Sequence, residues 1–373
     1  MSSDARECPS VLVVDDSAFM RRLVSDLLVR SGEFRVVGTA RNGFDALRQI
    51  HALDPMIVTL DVEMPELDGL QTLGYIMSET PRPVVMLSAA ETTPGFDVTL
   101  RALELGAVDF VRKPSGPISL DLAIVGDQLL AALRAATVMN LGGVRMIARP
   151  GLGAAAPAAP EPPEVVSGAE QVVVIATSTG GPRALAEVIP ALPADLDAAV
   201  LVVQHIPAGF TRSLAQRLDV ASALRVREAV HGDRLVHGHV YLAPGGRHMR
   251  LEADGGATRV VLDDAPPVWG VRPSADVLLR SAVRHFGAAC AGVVLTGMGR
   301  DGAEGMRLVA AAGGWRVVQD RDTSIVYGMP HAALQAAGAD RIVPLAAVAP
   351  TIVELIAARA AVGARARRAS GAP

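Results

Sequence analysis

Short apolar runs alternate with helical patterns along most of this chain. Five runs in the first third have the length and β-branched composition of buried strands, at Val11–Val14, Arg35–Thr39, Met56–Leu60, Pro83–Leu87 and Val108–Val111. After the first run, one apolar helix face is predicted by the spacing of Met20, Leu23, Val24, Leu27 and Leu28. Strands that alternate with helices predict a parallel sheet with helices on both faces.

The alternation returns in the second half, at Gln171–Thr177, Ala199–Val203, Ala291–Thr296 and Trp315–Gln319. Between these runs, residues 232–262 show shorter alternating runs with Pro244-Gly-Gly246, a hairpin signal inserted in the parallel pattern. We therefore predict an α/β chain with two doubly wound parallel-sheet domains, the second carrying a small antiparallel hairpin. The predicted boundaries are 9–130, a linker at 131–169 that starts helical and becomes rich in Pro and Ala, 170–361, and a disordered tail at 362–373.

Composition narrows the classes of function. Aromatic residues make up 3% of the 373 residues and the formal net charge is −4, which argues against a nucleic-acid surface. Cys8 and Cys290 are too few for a disulfide framework, and no signal peptide or long apolar span is visible. We expect a cytoplasmic protein without membrane insertion.

Of the 35 basic residues, Lys113 is the single lysine, so its position needs an explanation.

Polar residues follow the strands predicted in the first domain. Ligands of open parallel sheets bind outside the carboxyl ends of the strands, where this sequence has Asp15, Asp16, Asp61, Ser88 and Lys113. Converging carboxylates repel one another unless a cation holds them, and Mg²⁺ prefers oxygen ligands. Asp61 would then be a nucleophile toward a phosphoryl donor, while Ser88 and Lys113 would contact the transferred group. The alternative is that each acid caps the helix after its strand.

Residues 10–130 resemble a response-regulator receiver domain. The motifs that carry this resemblance are Val14-Asp-Asp-Ser17, Leu60-Asp-Val-Glu-Met-Pro-Glu-Leu-Asp-Gly69 and Lys113-Pro114. The resemblance implies a flavodoxin-like fold and these roles: Asp61 as phosphoacceptor, Asp15, Asp16 and Asp61 as Mg²⁺ ligands, and Ser88, Phe110 and Lys113 as the switch. Phe110 would report phosphorylation through its rotamer, although an ordinary core phenylalanine fits the pattern equally well.

In the second domain, Ser178 follows the first strand directly and precedes two glycines, Pro182 and a helical pattern. A serine at this place meets the free N–H groups of a helix amino terminus, which favour developing negative charge. An ordinary helix cap or a phosphate loop would also fit. The Gly-x-Ser-x-Gly elbow of many hydrolases is absent.

A serine nucleophile needs a base and an orienting acid. His205 and Asp301 both follow predicted strands, so they can converge with Ser178 as a triad in the chain order Ser, His, Asp. Other histidines compete for the role of base. His237 and His239 have the spacing of a metal pair, but no cysteine or paired acid completes a site, and we interpret them with His231 as surface residues. Three further histidines lie in helical patterns and look structural: His51, His285 and His331.

Six motifs of residues 170–360 resemble the protein-glutamate methylesterase domain of bacterial chemotaxis. They are Ala176-Thr-Ser-Thr-Gly-Gly181, Gln204-His-Ile-Pro-Ala-Gly-Phe-Thr211, Ala243-Pro-Gly-Gly-Arg-His248, Arg272-Pro-Ser-Ala-Asp276, Leu295-Thr-Gly-Met-Gly-Arg-Asp-Gly302 and Gly328-Met-Pro330. With the receiver in front, the chain is similar to the CheB family. The family implies a Rossmann-like three-layer domain with Ser178 as nucleophile, His205 as base, Asp301 as orienter, Thr179 near the substrate and the backbone at Met298 as oxyanion donor. The chain departs from the expected polar pattern at the apolar Val268–Val271.

The two resemblances together imply a phosphorylation-activated hydrolase. Its substrates would be glutamate γ-methyl esters, with receptor glutamines as deamidation substrates, on methyl-accepting chemoreceptors. Its phosphodonor would be the histidine kinase CheA, with Mg²⁺ for phosphorylation and no cofactor for the esterase. We expect the unphosphorylated receiver to cover the Ser178 site. The rival interpretations are a receiver-controlled adaptor without catalysis, and a nucleotide-binding domain at Ser178-Thr-Gly-Gly181, which lacks the Walker lysine.

Overall fold

The computed structural model describes residues 8–88, 101–103, 105–113, 119–143 and 168–369. The chain divides into two compact units, residues 1–148 and 149–373. Most of the Pro- and Ala-rich linker predicted at 131–169 lies outside the described residues, as do Pro114 and residues 370–373. The domain boundaries therefore stay a prediction.

The first unit contains a five-stranded parallel sheet. Its strands are β1 (Ser10–Val14), β2 (Arg35–Ala40), β3 (Ile57–Asp61), β4 (Val84–Ser88) and β5 (Asp109–Arg112). The helices with described bounds are α1 (Ala18–Ser31), α2 (Gly43–Leu53), α3 (Gly69–Glu79) and α4 (Ser119–Thr137), and residues 101–103 are also helical. The strand order β2-β1-β3-β4-β5 reverses direction beside β1, which is the place where such sheets bind ligands. The predicted parallel α/β fold is confirmed.

Branched aliphatic side chains of the strands form the core of this unit. Val11 and Ile57 pack with Val24 and Leu28 of α1 and with Leu133 of α4. Burial continues along α4 as far as Ala136, and a short 3₁₀ turn follows at Leu141–Gly143. Helix α1 begins where the Ser17 hydroxyl accepts a hydrogen bond from the backbone N–H of Met20 at 3.4 Å. This capping ties the chain directly after Asp15 and Asp16 to a fixed geometry.

The second unit contains a seven-stranded parallel sheet in the order β14-β13-β12-β6-β7-β9-β8. Its strands are β6 (Val172–Thr177), β7 (Ala199–Gln204), β8 (Arg225–Glu228), β9 (His239–Leu242), β12 (Cys290–Val294), β13 (Trp315–Gln319) and β14 (Arg341–Val343). Its helices are α5 (Gly181–Val188), α6 (Phe210–Ala221), α7 (Ala275–Phe286), α8 (Ala303–Ala311), α9 (Gly328–Ala337) and α10 (Leu345–Ala369), with a 3₁₀ turn at Gly287–Ala289. Helix α10 includes residues 362–369, for which the sequence predicts disorder.

The small antiparallel hairpin is present, but its turn lies further along the chain than Pro244-Gly-Gly246. Strands β10 (His248–Asp254) and β11 (Ala257–Asp263) pair antiparallel over their full length. The turn between them is Gly255-Gly256, with φ of 55° and 87°. A two-residue hairpin turn of this kind needs positive φ at both positions, which glycine supplies without strain. Pro244-Gly-Gly246 instead leads from β9 to β10, where the Gly245 N–H donates to the Thr211 hydroxyl.

In the residues that the structure describes, none of the helices combines the length and the apolar composition needed to cross a bilayer.

Candidate functional site

Three carboxylates meet at the reversal point of the first sheet. Oxygen atoms of Asp15, Asp16 and Asp61 lie within 4.8 Å of one another. Asp15 and Asp61 are buried, at 0% and 2% exposure, while Asp16 is exposed. Asp61 ends β3, and Asp15 and Asp16 follow β1, as the sequence predicted. In the part of the chain that the structure describes, this is the group of His, Cys, Asp and Glu side chains that could hold a metal ion.

The single lysine bridges two of these carboxylates. Lys113 Nζ lies 2.7 Å from Asp15 Oδ2 and 2.7 Å from Asp61 Oδ1, and the side chain is 11% exposed. Burial lowers the pKa of Lys113, but the hydrogen bonds to Asp15 and Asp61 and their charges raise the net pKa above its ordinary value. The ammonium therefore stays charged between two acids. Its backbone N–H donates to the carbonyl of Ser88 at 2.8 Å, which fixes the Lys113 backbone beside β4.

The carboxyl group of Asp61 loses its proton less readily than an ordinary aspartate does. Burial raises its pKa to about 6, and the charge of Asp15 adds to the increase, against the lowering effect of Lys113. Asp61 Oδ2 is buried and accepts no hydrogen bond from the described residues. An all-oxygen group with such an atom fits a hard cation such as Mg²⁺, which would stabilise the carboxylate form. The two other predicted switch residues, Ser88 and Phe110, are each 7% exposed.

In the second unit, His205 and Asp301 form a direct pair. His205 Nε2 lies 2.8 Å from Asp301 Oδ2, and their side chains are 9% and 3% exposed. With Nε2 bound to the carboxylate, Nδ1 is the ring nitrogen that can serve as a base. The sequence placed both residues after strands, and the structure brings them together across 96 residues of chain.

Asp301 also closes the amino terminus of helix α7. Its Oδ1 accepts hydrogen bonds from the Ser274 hydroxyl at 2.6 Å and the Asp276 N–H at 3.1 Å. Its Oδ2 accepts the Ala275 N–H at 2.6 Å. Burial raises the pKa of Asp301, but the hydrogen bond and charge of His205, together with Ser274 and Ala275, lower it to a net value below its ordinary range. The carboxylate is held ionised and in one orientation.

Ser178 lies beside His205 because of the sheet register. Thr177 of β6 pairs with Gln204 of β7, and Ser178 and His205 directly follow these two residues. The pairing therefore brings the two predicted catalytic residues next to each other. The Gln204 amide Nε2 donates to the carbonyl of Ser178 at 3.0 Å and to that of His205 at 3.3 Å. Ser178 is partly exposed, and among the described residues its side chain makes no hydrogen bond to His205 in this conformation. Contacts of this type often form only when substrate binds.

The turn after Ser178 requires a glycine. A Cβ on Gly181 would lie 1.9 Å from Gln204 Oε1 and 2.6 Å from Thr177 Oγ1, so a side chain there would push Gln204 away. The Gly181 N–H donates to the Ser178 carbonyl at 2.8 Å and starts helix α5. Ser178 therefore sits at the amino terminus of a helix, as its position before the two glycines predicted.

The other predicted substrate-site residues differ in exposure. Thr179 is 7% exposed, and its carbonyl accepts a hydrogen bond from the Thr296 hydroxyl at 3.0 Å. Met298, in the loop after β12, has a side chain that is 39% exposed. The roles of both residues stay predictions.

Three comparisons with known proteins bear on this geometry. The family model described as CheB methylesterase matches residues 173–352, and that of the response regulator receiver domain matches residues 11–125. A relative from Symbiobacterium thermophilum, named protein-glutamate methylesterase/protein-glutamine glutaminase, is 46% identical over 372 residues, covering 95% of this chain and 99% of the relative. A relative of the same name from Geobacillus kaustophilus is 46% identical over 349 residues, covering 93% and 98%.

This chain belongs to the CheB methylesterase family. The chain is also similar to the crystal structure of the Thermotoga maritima CheB methylesterase catalytic domain, with 42% identity and a TM-score of 0.49 over 51% of this chain and 100% of that one. The methylesterase match of this CheB-family chain includes Ser178, His205 and Asp301, and its receiver match includes Asp61 and Lys113.

The sequence reasoning missed two residues behind the triad of this CheB-family chain. Ser274, which is fully buried, donates to Asp301, and its own backbone N–H donates to His248 Nδ1 at 3.2 Å. His248 is 1% exposed, and its Nε2 lies 3.1 Å from the carbonyl of Pro266. Both residues belong to motifs that carry the family resemblance. Ser274 directly precedes helix α7 but makes no capping hydrogen bond to it and donates to Asp301 instead, so a capping pattern in the sequence could not have identified this role.

Proposed function

We propose that this chain is a phosphorylation-activated serine hydrolase. It removes methyl groups from glutamate γ-methyl esters of methyl-accepting chemoreceptors and deamidates receptor glutamines. The observation that carries the proposal is the His205–Asp301 pair at the register position beside Ser178. A hydrogen-bonded histidine and buried carboxylate next to a serine are the parts of a hydrolytic triad. The names of the CheB-family relatives supply the substrate class.

The chemistry proceeds in two halves. Ser178 Oγ attacks the ester carbonyl while His205 Nδ1 takes its proton, and collapse of the tetrahedral intermediate expels methanol with that proton. Water, deprotonated by His205, then attacks the acyl-enzyme and releases glutamate and Ser178. A glutamine substrate follows the same steps with ammonia as the first product. Asp301 stays ionised and stabilises the imidazolium that forms in each half.

Backbone N–H groups stabilise the oxyanion in this proposal. Ser178 stands at the amino terminus of α5, and the loop at Met298 lies against it, since the Ser178 N–H donates to the carbonyl of Thr296 at 3.1 Å. Each well-placed donor contributes about 2.7–4 kcal/mol to the transition state of comparable reactions. Thr179, adjacent to the nucleophile, completes the substrate side of the site.

The receiver supplies the control. Asp61 is the phosphoacceptor, with Asp15, Asp16 and Asp61 as ligands for Mg²⁺, which neutralises charge between carboxylates and phosphoryl group when it is bound. Lys113 contacts the phosphoryl oxygens, and Ser88 and Phe110 respond as the switch. CheA is the proposed phosphodonor. The protein acts in the cytoplasm, without nucleic acid and without membrane insertion.

The test is turnover of the full chain on membranes that contain methylated chemoreceptors. We expect methanol release, ammonia release from unmodified receptors, and severalfold faster methanol release when a small phosphodonor and Mg²⁺ are added together. Tight receptor binding without methanol or ammonia would overturn the proposal in favour of an adaptor.

A further inference from the structure

An exposed tryptophan with unusual backbone geometry is linked to the triad acid through Asp276, whose backbone N–H donates to Asp301. Trp269 and Gly270 form a two-residue turn between Val268 and Val271, whose backbones exchange hydrogen bonds of 3.1 and 3.0 Å. Both turn residues have positive φ, 54° at Trp269 and 79° at Gly270. Such a turn favours Asn, Asp or Gly at its first position, and a bulky residue there is a true outlier. The rest of the structure must therefore hold the indole in place.

Two contacts hold it. Trp269 Nε1 donates to Asp276 Oδ2 at 2.8 Å, and the other oxygen of Asp276, a residue 3% exposed, accepts the Gly305 N–H at 2.7 Å. On the ring, the Arg300 guanidinium carbon lies 4.4 Å from the centroid, in the geometry of a cation–π contact. Trp269 is still 54% exposed. The contacts with buried Asp276 and with Arg300 thus hold the indole in place while about half of Trp269 stays open to solvent.

The position of Arg300 links this surface to the reaction. Arg300 directly precedes Asp301 in the chain, and its guanidinium stacks on Trp269. Arg300 and Trp269 therefore lie beside the His205–Asp301 pair. Arg300 is exposed and, within the described part of the chain, forms no ion pair. A guanidinium stacked on a ring keeps its in-plane N–H donors available for a carboxylate.

We propose that Trp269 and Arg300 bind the substrate polypeptide beside the scissile ester, with Arg300 pairing to a neighbouring glutamate carboxylate and the Trp269 indole covering apolar surface. The inference rests on the proposed function. The charge of the substrate indicates which segment binds here. Both ester hydrolysis and glutamine deamidation leave a carboxylate, so a substrate with several modified positions becomes acidic around the positions that have not yet reacted. An unpaired arginine beside the triad complements that segment.

The experiment is steady-state methanol release by the full chain on methylated receptor membranes, at low and at physiological salt. Arg300→Glu and Trp269→Ala should each raise KM about tenfold, with kcat within twofold of the wild type. The wild-type KM should rise with salt, and that dependence should be smaller in Arg300→Ala. The control is Arg284→Ala, an exposed arginine in the last turn of α7, which should match the wild type.

Each alternative has its own result. A fall in kcat at unchanged KM would show that Arg300 acts through Asp301 and would overturn substrate binding, as would wild-type KM in both variants. A rise in the rate without phosphodonor would assign the surface to contact with the receiver instead and would also overturn the proposal. If the wild type releases no methanol, the proposed function fails first, and this outcome is separate from the other three.

Discussion

Asp301 and Ala275 are joined by a 2.6 Å hydrogen bond from the first N–H of helix α7 to the carboxylate Oδ2. The same oxygen faces His205 Nε2 at 2.8 Å. One buried carboxylate thus both closes a helix and orients the base, and the free N–H groups of the helix favour its negative charge.

Asp301→Asn tests the charge of the orienter. The amide keeps the shape but places an N–H₂ group among donors and favours the wrong tautomer of His205. We expect kcat to fall about 10⁴-fold with little change in KM, as for the equivalent change in other triads. Steady-state methanol release measures both constants, and a loss in kcat below tenfold would contradict the role of Asp301.

The pH dependence of stability should carry the signature of Asp301. Its folded-state pKa lies below its ordinary value of 3.8, so its ionised form stabilises the fold at pH values above that ordinary value. The stabilisation is lost as pH falls below 3.8 through the lower folded-state pKa. We expect the difference in free energy of unfolding between wild type and Asp301→Asn to shrink as the pH falls below about 4. Urea unfolding at pH values on both sides of this point measures it, and a difference that grows below pH 4 would refute the assignment.

Ser274 acts as a positioning residue through Asp301. Removing its hydroxyl in Ser274→Ala leaves Oδ1 with only the weaker Asp276 contact, so kcat should fall about tenfold. Because Ser274 lowers the pKa of Asp301, the pH at which the protein loses stability in acid should also move upward in Ser274→Ala. Ser281→Ala, on the same helix, is the matched control and should leave kcat and this pH unchanged. An unchanged kcat in Ser274→Ala would mean that Ser274 does not act through Asp301.

How far the sequence alone reaches depends on the element. Four site residues could be predicted because each follows an apolar run, and the end of such a run marks the carboxyl end of a buried strand. They are Asp15, Asp61, Ser178 and His205. The apolar runs could not give the register that pairs Thr177 with Gln204, since each run fits several registers equally well. The sequence pattern did not predict roles for Ser274, His248 and Trp269 for another reason. They lie in loops and around the hairpin, where the path is set by tertiary hydrogen bonds rather than by periodicity.

Lys113→Arg tests why one lysine remains among arginines. A single Nζ reaches Asp15 and Asp61 at 2.7 Å each, a geometry suited to a compact ammonium and not to a planar guanidinium. We expect a folded variant whose activation by a small phosphodonor and Mg²⁺ is reduced to less than half of the wild type. Arg112→Lys, the exposed neighbour, is the control. Full activation of Lys113→Arg would show that the lysine has no special role.

The central claim is that Ser178 is the nucleophile, and the most direct measurement is methanol release by Ser178→Ala on methylated receptor membranes. Thermal unfolding beside the wild type establishes that the variant is folded. The account predicts release at the level of buffer alone, with and without phosphodonor. Release within tenfold of the wild type by the folded variant would contradict it.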